Sequence, residues 1–207
     1  MKKVNAVVEN PFMSNASHLT VVNPFEIFGL DPSFTLDLKA LDRAYFELQK
    51  HYHPDKKIQT RSTEKDLVTP NPLGMEDHTV ELNASVINAA YQTLKNPVKR
   101  AETLLNILDI PVPGQNGETI GTEIMLLDIL DFQETIMMCE DHEQALEVMN
   151  DLNEHFSEEQ HAFAEEFDRG RFESLPEIYI KLSYIDRLRK QVSEVEQQLF
   201  KRTSRTH

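Results

Sequence analysis

The sequence predicts an all-α protein of two units, an N-terminal helical hairpin with short flanking helices and a C-terminal three-helix bundle. Three observations predict it. Apolar residues recur at steps of three and four through most of the chain. Glycine is scarce, at 6 of 207 residues. A stretch dense in Pro and Gly, DIPVPGQNGETIG at 109–121, interrupts the helical pattern and reads as a linker. The expected organisation is a flexible tail at 1–22, a first unit at 23–108, the linker at 109–121 and the bundle at 122–207.

NPFEIFGL at 23–30 opens on an Asn-Pro turn and reads as a short extended or single-turn segment. Asp37 then offers a helix N-cap, and Leu38, Leu41, Tyr45, Leu48 and Tyr52 make one face of a helix over about 37–52. Lys39, Arg43, Glu47 and Lys50 fall off that face and are expected in water. Pro54 stops the helix, because a proline disfavours the helical conformation in the residue before it. Residues 54–78 carry Pro70, Pro72 and Gly74 and read as a long loop. A second helix is expected at about 79–95, with Val86, Ile87, Ala90, Tyr91 and Leu94 inward. A third, at 98–108, turns Ala101, Leu104, Leu105 and Leu108 inward.

Beyond the linker, helices are expected at about 122–138, 141–168 and 175–201. The last carries a heptad-like stripe, Ile178, Leu182, Ile185, Leu188, Val192, Val195 and Leu199. The middle one carries Met149, Leu152, Phe156, Phe163 and Phe167. Three antiparallel helices can bury such stripes together.

Composition narrows the function classes. With 35 acidic and 21 basic residues the formal net charge is −14, so phosphate backbones are repelled and general nucleic-acid binding is disfavoured. A single cysteine, Cys139, excludes an internal disulfide and a multi-cysteine zinc site. No apolar run approaches the ~18 residues that span a bilayer. The first residues lack the apolar core of a secretory signal and the arginines of a mitochondrial transit peptide.

KHYHPDKK, at 50–57, gathers His51, His53 and Asp55 around Pro54. As an acid–base pair it lacks a pocket, a nucleophile and a water-excluding wall. As a metal site it lacks a third fixed strong ligand, and His51 and His53 need not converge. Taken alone it would be an ordinary polar turn after a helix. Its surroundings say more. AYFELQKHYHPDK (44–56), a long loop and INAAYQTLKNP (87–97) together resemble the J domain, by which DnaJ-type co-chaperones engage DnaK-type ATPases. The resemblance implies that His53, Pro54 and Asp55 contact such a chaperone and stimulate its ATP hydrolysis, the J protein itself doing no chemistry. The residues agree. Pro54 stiffens the turn, so little entropy is lost on binding. Asp55 can accept a bidentate hydrogen bond from an arginine. Arg43, Lys50, Lys56 and Lys57 make a basic patch on an acidic protein that would steer it to an acidic surface.

The helix at 122–138 carries two apolar stripes. At roughly 100° per residue, Met125, Ile129, Phe132 and Ile136 share one face. Leu126, Leu127 and Leu130 lie nearly opposite, with Glu123, Asp131 and Glu134 beside them. A helix of a three-helix bundle needs one stripe. The second is either a binding patch or a face packed on the first unit or on a second copy of the chain. The whole plan, from about residue 23 onward, resembles the HscB family, co-chaperones that pair with the chaperone HscA and deliver the iron–sulfur scaffold IscU. It departs in the extended tail and in a longer 57–78 loop. The resemblance implies a scaffold-binding surface made of Leu126, Leu127, Leu130, Asp131, Glu134 and, from KLSYIDRL at 181–188, Tyr184.

The remaining features read as structural. Cys139 is a buried or helix-end thiol, His142, His155 and His161 are solvated, and Phe156, Phe163 and Phe167 belong to the core. No cofactor or metal is expected. The expected function is that of a monomeric co-chaperone in iron–sulfur cluster biogenesis, with a dimer as the alternative assembly and a general J-domain co-chaperone as the alternative role. The compartment implied is the bacterial cytoplasm, or the mitochondrial matrix if the source is eukaryotic.

Overall fold

The computed structural model describes residues 23–52, 82–114 and 123–203. Among these residues every regular element is helical. Helix α1, Pro24–Ile27, is a single turn started by Pro24 and by the Asn23 side chain, whose oxygen accepts from Phe25 N at 3.0 Å. It buries Phe25 and Ile27 completely or nearly so. Gly29, at φ 61°, takes the left-handed conformation that lets the chain leave this turn.

Helix α2, Leu38–Tyr52, begins where Asp37 Oδ1 accepts from Lys39 N and Ala40 N at 2.9 and 3.1 Å. Its partner α3, Ala84–Lys95, runs antiparallel. Three cross-links fix the register: Tyr91 Oη donates to Asp42 Oδ1 at 2.7 Å, Tyr45 Oη to Asn88 Oδ1 at 3.3 Å, and Gln49 Nε2 to the carbonyl of Ala84 at 3.4 Å. The Tyr45 and Tyr91 rings stack at 4.1 Å.

Two sequence expectations change here. The second helix starts at Ala84, with residues 82 and 83 non-helical, rather than near 79. Asn83 is its N-cap: its backbone is extended and its side chain accepts from Ser85 N at 2.9 Å and Val86 N at 3.1 Å. Leu38, expected inward, is 42% exposed. The register brings it level with Lys95, where α3 ends, so α3 does not cover it. Replacing Asn83 by alanine removes both cap bonds and is expected to cost about 1 kcal/mol. Thermal denaturation followed by circular dichroism should show Tm lower by roughly 2–4 °C.

Asn96 closes α3 and caps α4, Pro97–Ile107, accepting from Lys99 N at 3.0 Å, with Pro97 in the first helical turn. Helix α4 buries Arg100, Ala101, Leu104 and Leu105. After 115–122 come α5, Glu123–Met137, and α6, His142–Asp168. Asp141 caps α6 by accepting from Gln144 N, while Gln144 Oε1 accepts from Glu140 N. Gly170, at φ 71°, turns the chain through a 3₁₀ turn, Phe172–Ser174, into α7, Leu175–Thr203. Helices α6 and α7 are antiparallel, as His142–Glu196, Asn153–Arg189 and Glu159–Lys181 contacts show.

The core falls into two clusters. The first joins Phe25, Leu41, Ile87, Leu94, Leu104 and Leu105 to Phe156, Phe163, Leu175 and Leu182. The second holds Ile136 of α5 with Ala145, Val148, Leu152, Leu188, Val192 and Leu199. At 1.5 Å per residue α5 is ~22 Å long and α6 ~40 Å. The three-helix packing therefore covers only the half of the α6–α7 hairpin that α5 reaches. The other half, with Phe163 at its centre, packs on α1–α4.

Candidate functional site

The sequence places two candidate surfaces on this frame. The first is the end of α2. His53, Pro54, Asp55, Lys56 and Lys57 lie outside the described residues; the helix that leads to them is described up to Tyr52. Arg43 is exposed, with Nη2 3.9 Å from Asp37. Lys50 Nζ donates to Glu47 Oε1 at 2.7 Å and sits 4.5 Å above the Phe46 ring. The Lys50 hydrogen bond, then its charge, holds the Glu47 carboxyl below its ordinary range. Glu47 thus offsets part of the positive face. Exposed pairs of this kind contribute little to stability, so an incoming carboxylate can take either cation. Phe46, 60% exposed, was not singled out as a candidate by sequence. Its signal was there: a large apolar residue off the inward stripe, among charged neighbours.

The second surface is the outer face of α5. Ile136 is buried, while Ile129 and Phe132 are half-buried, Phe132 meeting the His155 ring edge-on at 5.7 Å. On the opposite side Leu127 and Leu130 are each 57% exposed, and Asp131 and Glu134 are exposed beside them. Leu126 and Met125 belong to α5, and their side chains lie outside the described residues. At 100° per residue Met137 and Met138 fall on the same outer face. They are 79% and 66% exposed. The strip thus reaches the end of α5 and gains two residues, Met137 and Met138, beyond Leu130 and Glu134.

Tyr184 is half-buried on α7, with the Arg187 guanidinium 5.3 Å above its ring. It lies between Lys181, which faces Glu159, and Arg189, which donates to Asn153. Phe132 touches His155 within that same interval. Tyr184 and the middle of α5 therefore stand at one height along the bundle.

Two surfaces result, with the first core cluster between them. The α2 end is one helix length, ~22 Å, from Leu38, which meets α6 in a shared cavity. The α5 strip rests on the other half of the α6–α7 hairpin.

Cys139 is half-buried just after α5, its thiol donating to the Thr135 carbonyl at 3.4 Å. Burial, with Asp141 adding to it, pushes the thiol up, so the neutral form dominates near pH 7. Iodoacetamide should alkylate Cys139 more slowly in the native protein than in urea, and the native rate should rise to a higher pH before levelling off. Equal rates in both states would contradict the shift. His142, His155 and His161 are exposed. No group of three His, Cys, Asp or Glu among the described residues could hold a metal ion. No helix among them is long and apolar enough to cross a membrane.

Known proteins resemble this chain in sequence and fold. Residues 123–193 match the family described as the HSCB C-terminal oligomerisation domain. The chain is 27% identical over 186 residues to the co-chaperone protein HscB homolog of Shewanella loihica, covering 86% of this chain and 100% of that protein. Among solved structures, chaperone HscB from Vibrio cholerae superposes with a TM-score of 0.63 at 26% identity, over 86% of this chain and 99% of that one. The human co-chaperone protein HscB shares the fold with a TM-score of 0.69 at 23% identity, over 85% and 83% of the two chains.

Proposed function

We propose, from the premise that the chain belongs to the HscB-type co-chaperones, that it binds an iron–sulfur scaffold of the IscU type and presents it to a DnaK- or HscA-type ATPase. The observation that carries the scaffold half is the strip on α5. Leu127 and Leu130 are large, apolar and exposed on a helix whose other face already fills the core. Aliphatic anchors rimmed by carboxylates suit a specific protein partner with an apolar patch and nearby cations. Leu126, Leu127, Leu130, Asp131, Glu134 and Tyr184 are the residues proposed to make it.

The chaperone half rests on the His53-Pro54-Asp55 turn and on Arg43, Lys50 and Lys56 around it. The turn would dock on the ATPase and promote hydrolysis there, the chain supplying contacts and no chemistry of its own. The end of α2 and the α5 strip belong to different halves of the molecule, so on this reading both partners would be held at once. Holding them together raises the effective concentration of scaffold at the chaperone.

The test uses three purified proteins. Binding of an IscU-type scaffold is measured by calorimetry, and single-turnover ATP hydrolysis by the chaperone is then followed with the chain, the scaffold or both. The expected result is saturable scaffold binding, stimulation by the chain alone, and a larger stimulation with both than the separate effects predict. Scaffold binding no tighter than that of an unrelated unfolded polypeptide would overturn the scaffold assignment and favour a general co-chaperone.

A further inference from the structure

Arg100 stands out in the junction between α1–α4 and the α6–α7 hairpin. It is 6% exposed, the one polar or charged residue in the buried set of the described residues. Its Nη1 donates to the Leu94 carbonyl at 2.7 Å, and its guanidinium carbon lies 5.0 Å from the centre of the Phe34 ring. Its Nε is sealed from solvent and has no hydrogen-bond partner. Burial alone pushes it down, to about 10, with no carboxylate among the described residues opposing the shift. At neutral pH it therefore remains a buried cation with no counter-charge among the described residues, an arrangement that is unfavourable unless something negative approaches it.

Arg100 also lines an open cleft of about 220 Å³. One wall comes from the segment leading into α2 and the other from α6. Its polar lining is Thr35, Ser157, Gln160 and His161, all able to donate hydrogen bonds, and no carboxylate is present. The rest is apolar, including Phe34, Leu38 and Ala164. At about 30 Å³ per water molecule the space suits a molecule of several heavy atoms. Leu38, beyond the end of α3, forms part of the apolar wall.

We propose that this cavity is a binding site for a small organic acid, whose carboxylate would face the Arg100 guanidinium while a short aliphatic tail lies against Phe34, Leu38 and Ala164. A carboxylate pairs well with a guanidinium and its charge is concentrated at one end. Inorganic phosphate would satisfy the cation and leave the apolar wall unused. Because the two walls belong to different halves of the molecule, the ligand would also tie α1–α4 to the α6–α7 hairpin. The inference concerns this junction and stands whether or not the α5 strip binds a scaffold.

The test titrates the full chain with sodium butyrate, with sodium phosphate, and with sodium chloride at matched ionic strength. The Nε–H resonance of Arg100 is followed by NMR and Tm by calorimetry. Butyrate is expected to move the resonance saturably and to raise Tm, with chloride doing neither. Ala164→Leu keeps Arg100 and fills the apolar wall, and should weaken butyrate binding by about tenfold or more. Arg100→Met should abolish the Tm response if that variant folds. A response that never saturates, a saturable response to phosphate but not butyrate, or an unchanged affinity in Ala164→Leu would each overturn the proposal.

Discussion

Replacing Phe163 by alanine is expected to destabilise the protein by about 3–5 kcal/mol, the range for deleting a fully buried aromatic ring. For a chain of this length that lowers Tm by roughly 6–20 °C, taking about 2–4 °C per kcal/mol. Phe163 has no exposed surface, and its ring lies 4.6 Å from that of Phe34, which is itself buried. Phe34 comes from the segment before α2 and Phe163 from α6, so the pair joins the two halves of the first core cluster. The cavity left by the truncation would open into packing on both sides, with no flexible loop to collapse into it. Because the cluster is continuous, unfolding should stay one cooperative transition, shifted as a whole. Two separated transitions in calorimetry, with only one shifted, would show that α1–α4 and the α6–α7 hairpin hold their stability independently. Leu130→Ala is the matched control: at 57% exposure its loss should change stability by less than about 0.5 kcal/mol.

That contrast marks what periodicity can reveal. The stripe Met149, Leu152, Phe156, Phe163 and Phe167 was legible as an inward face; Leu152, Phe156 and Phe163 are buried, and Met149 and Phe167 half-buried. Which partner each one meets was not legible, because a helical period gives a face and no address. Leu152 packs with α5, while Phe156 and Phe163 pack with α1–α4. The start of α3 was missed for a related reason. Leu82 and Val86, a step of four, continue the apolar rhythm across Asn83, and the extended backbone there reveals the cap. Arg100 was invisible for the opposite reason. A cation inside KRAETLL is expected in water, and burial of Arg100 at the junction follows from tertiary packing alone. On the candidate surfaces, the opposed placement of Leu127 and Leu130 against Ile136 could be read directly from the 100° step. Met137 and Met138 obey the same arithmetic but lie at the expected end of the helix, where a helical face is no longer defined by its period.

The double substitution Leu127→Ala, Leu130→Ala is expected to weaken scaffold binding by about 100–1000-fold while leaving the fold intact. Each leucine that becomes buried on binding contributes about 1.5–3 kcal/mol. Central anchors of this type cost 2 kcal/mol or more on truncation. Even with overlap between neighbours one turn apart, the pair should lose about 3–4 kcal/mol, which is the affinity change stated. Stability should hardly move, because both side chains are exposed and alanine is the better helix former. Stimulation of the chaperone ATPase by the chain alone should survive, since the substitutions lie on α5 and the proposed contact begins at the end of α2. His53→Gln should give the mirror result, with stimulation falling to the basal rate and scaffold affinity unchanged. The carboxylates separate contact from mere exposure: with Asp131→Asn and Glu134→Gln together, scaffold affinity should lose much of its salt dependence. Calorimetric titration of each variant with scaffold, beside the ATPase assay, decides the matter. If either the leucine pair or His53→Gln abolished both activities in a protein that still melts at the native temperature, the two surfaces would not be independent grips on two partners.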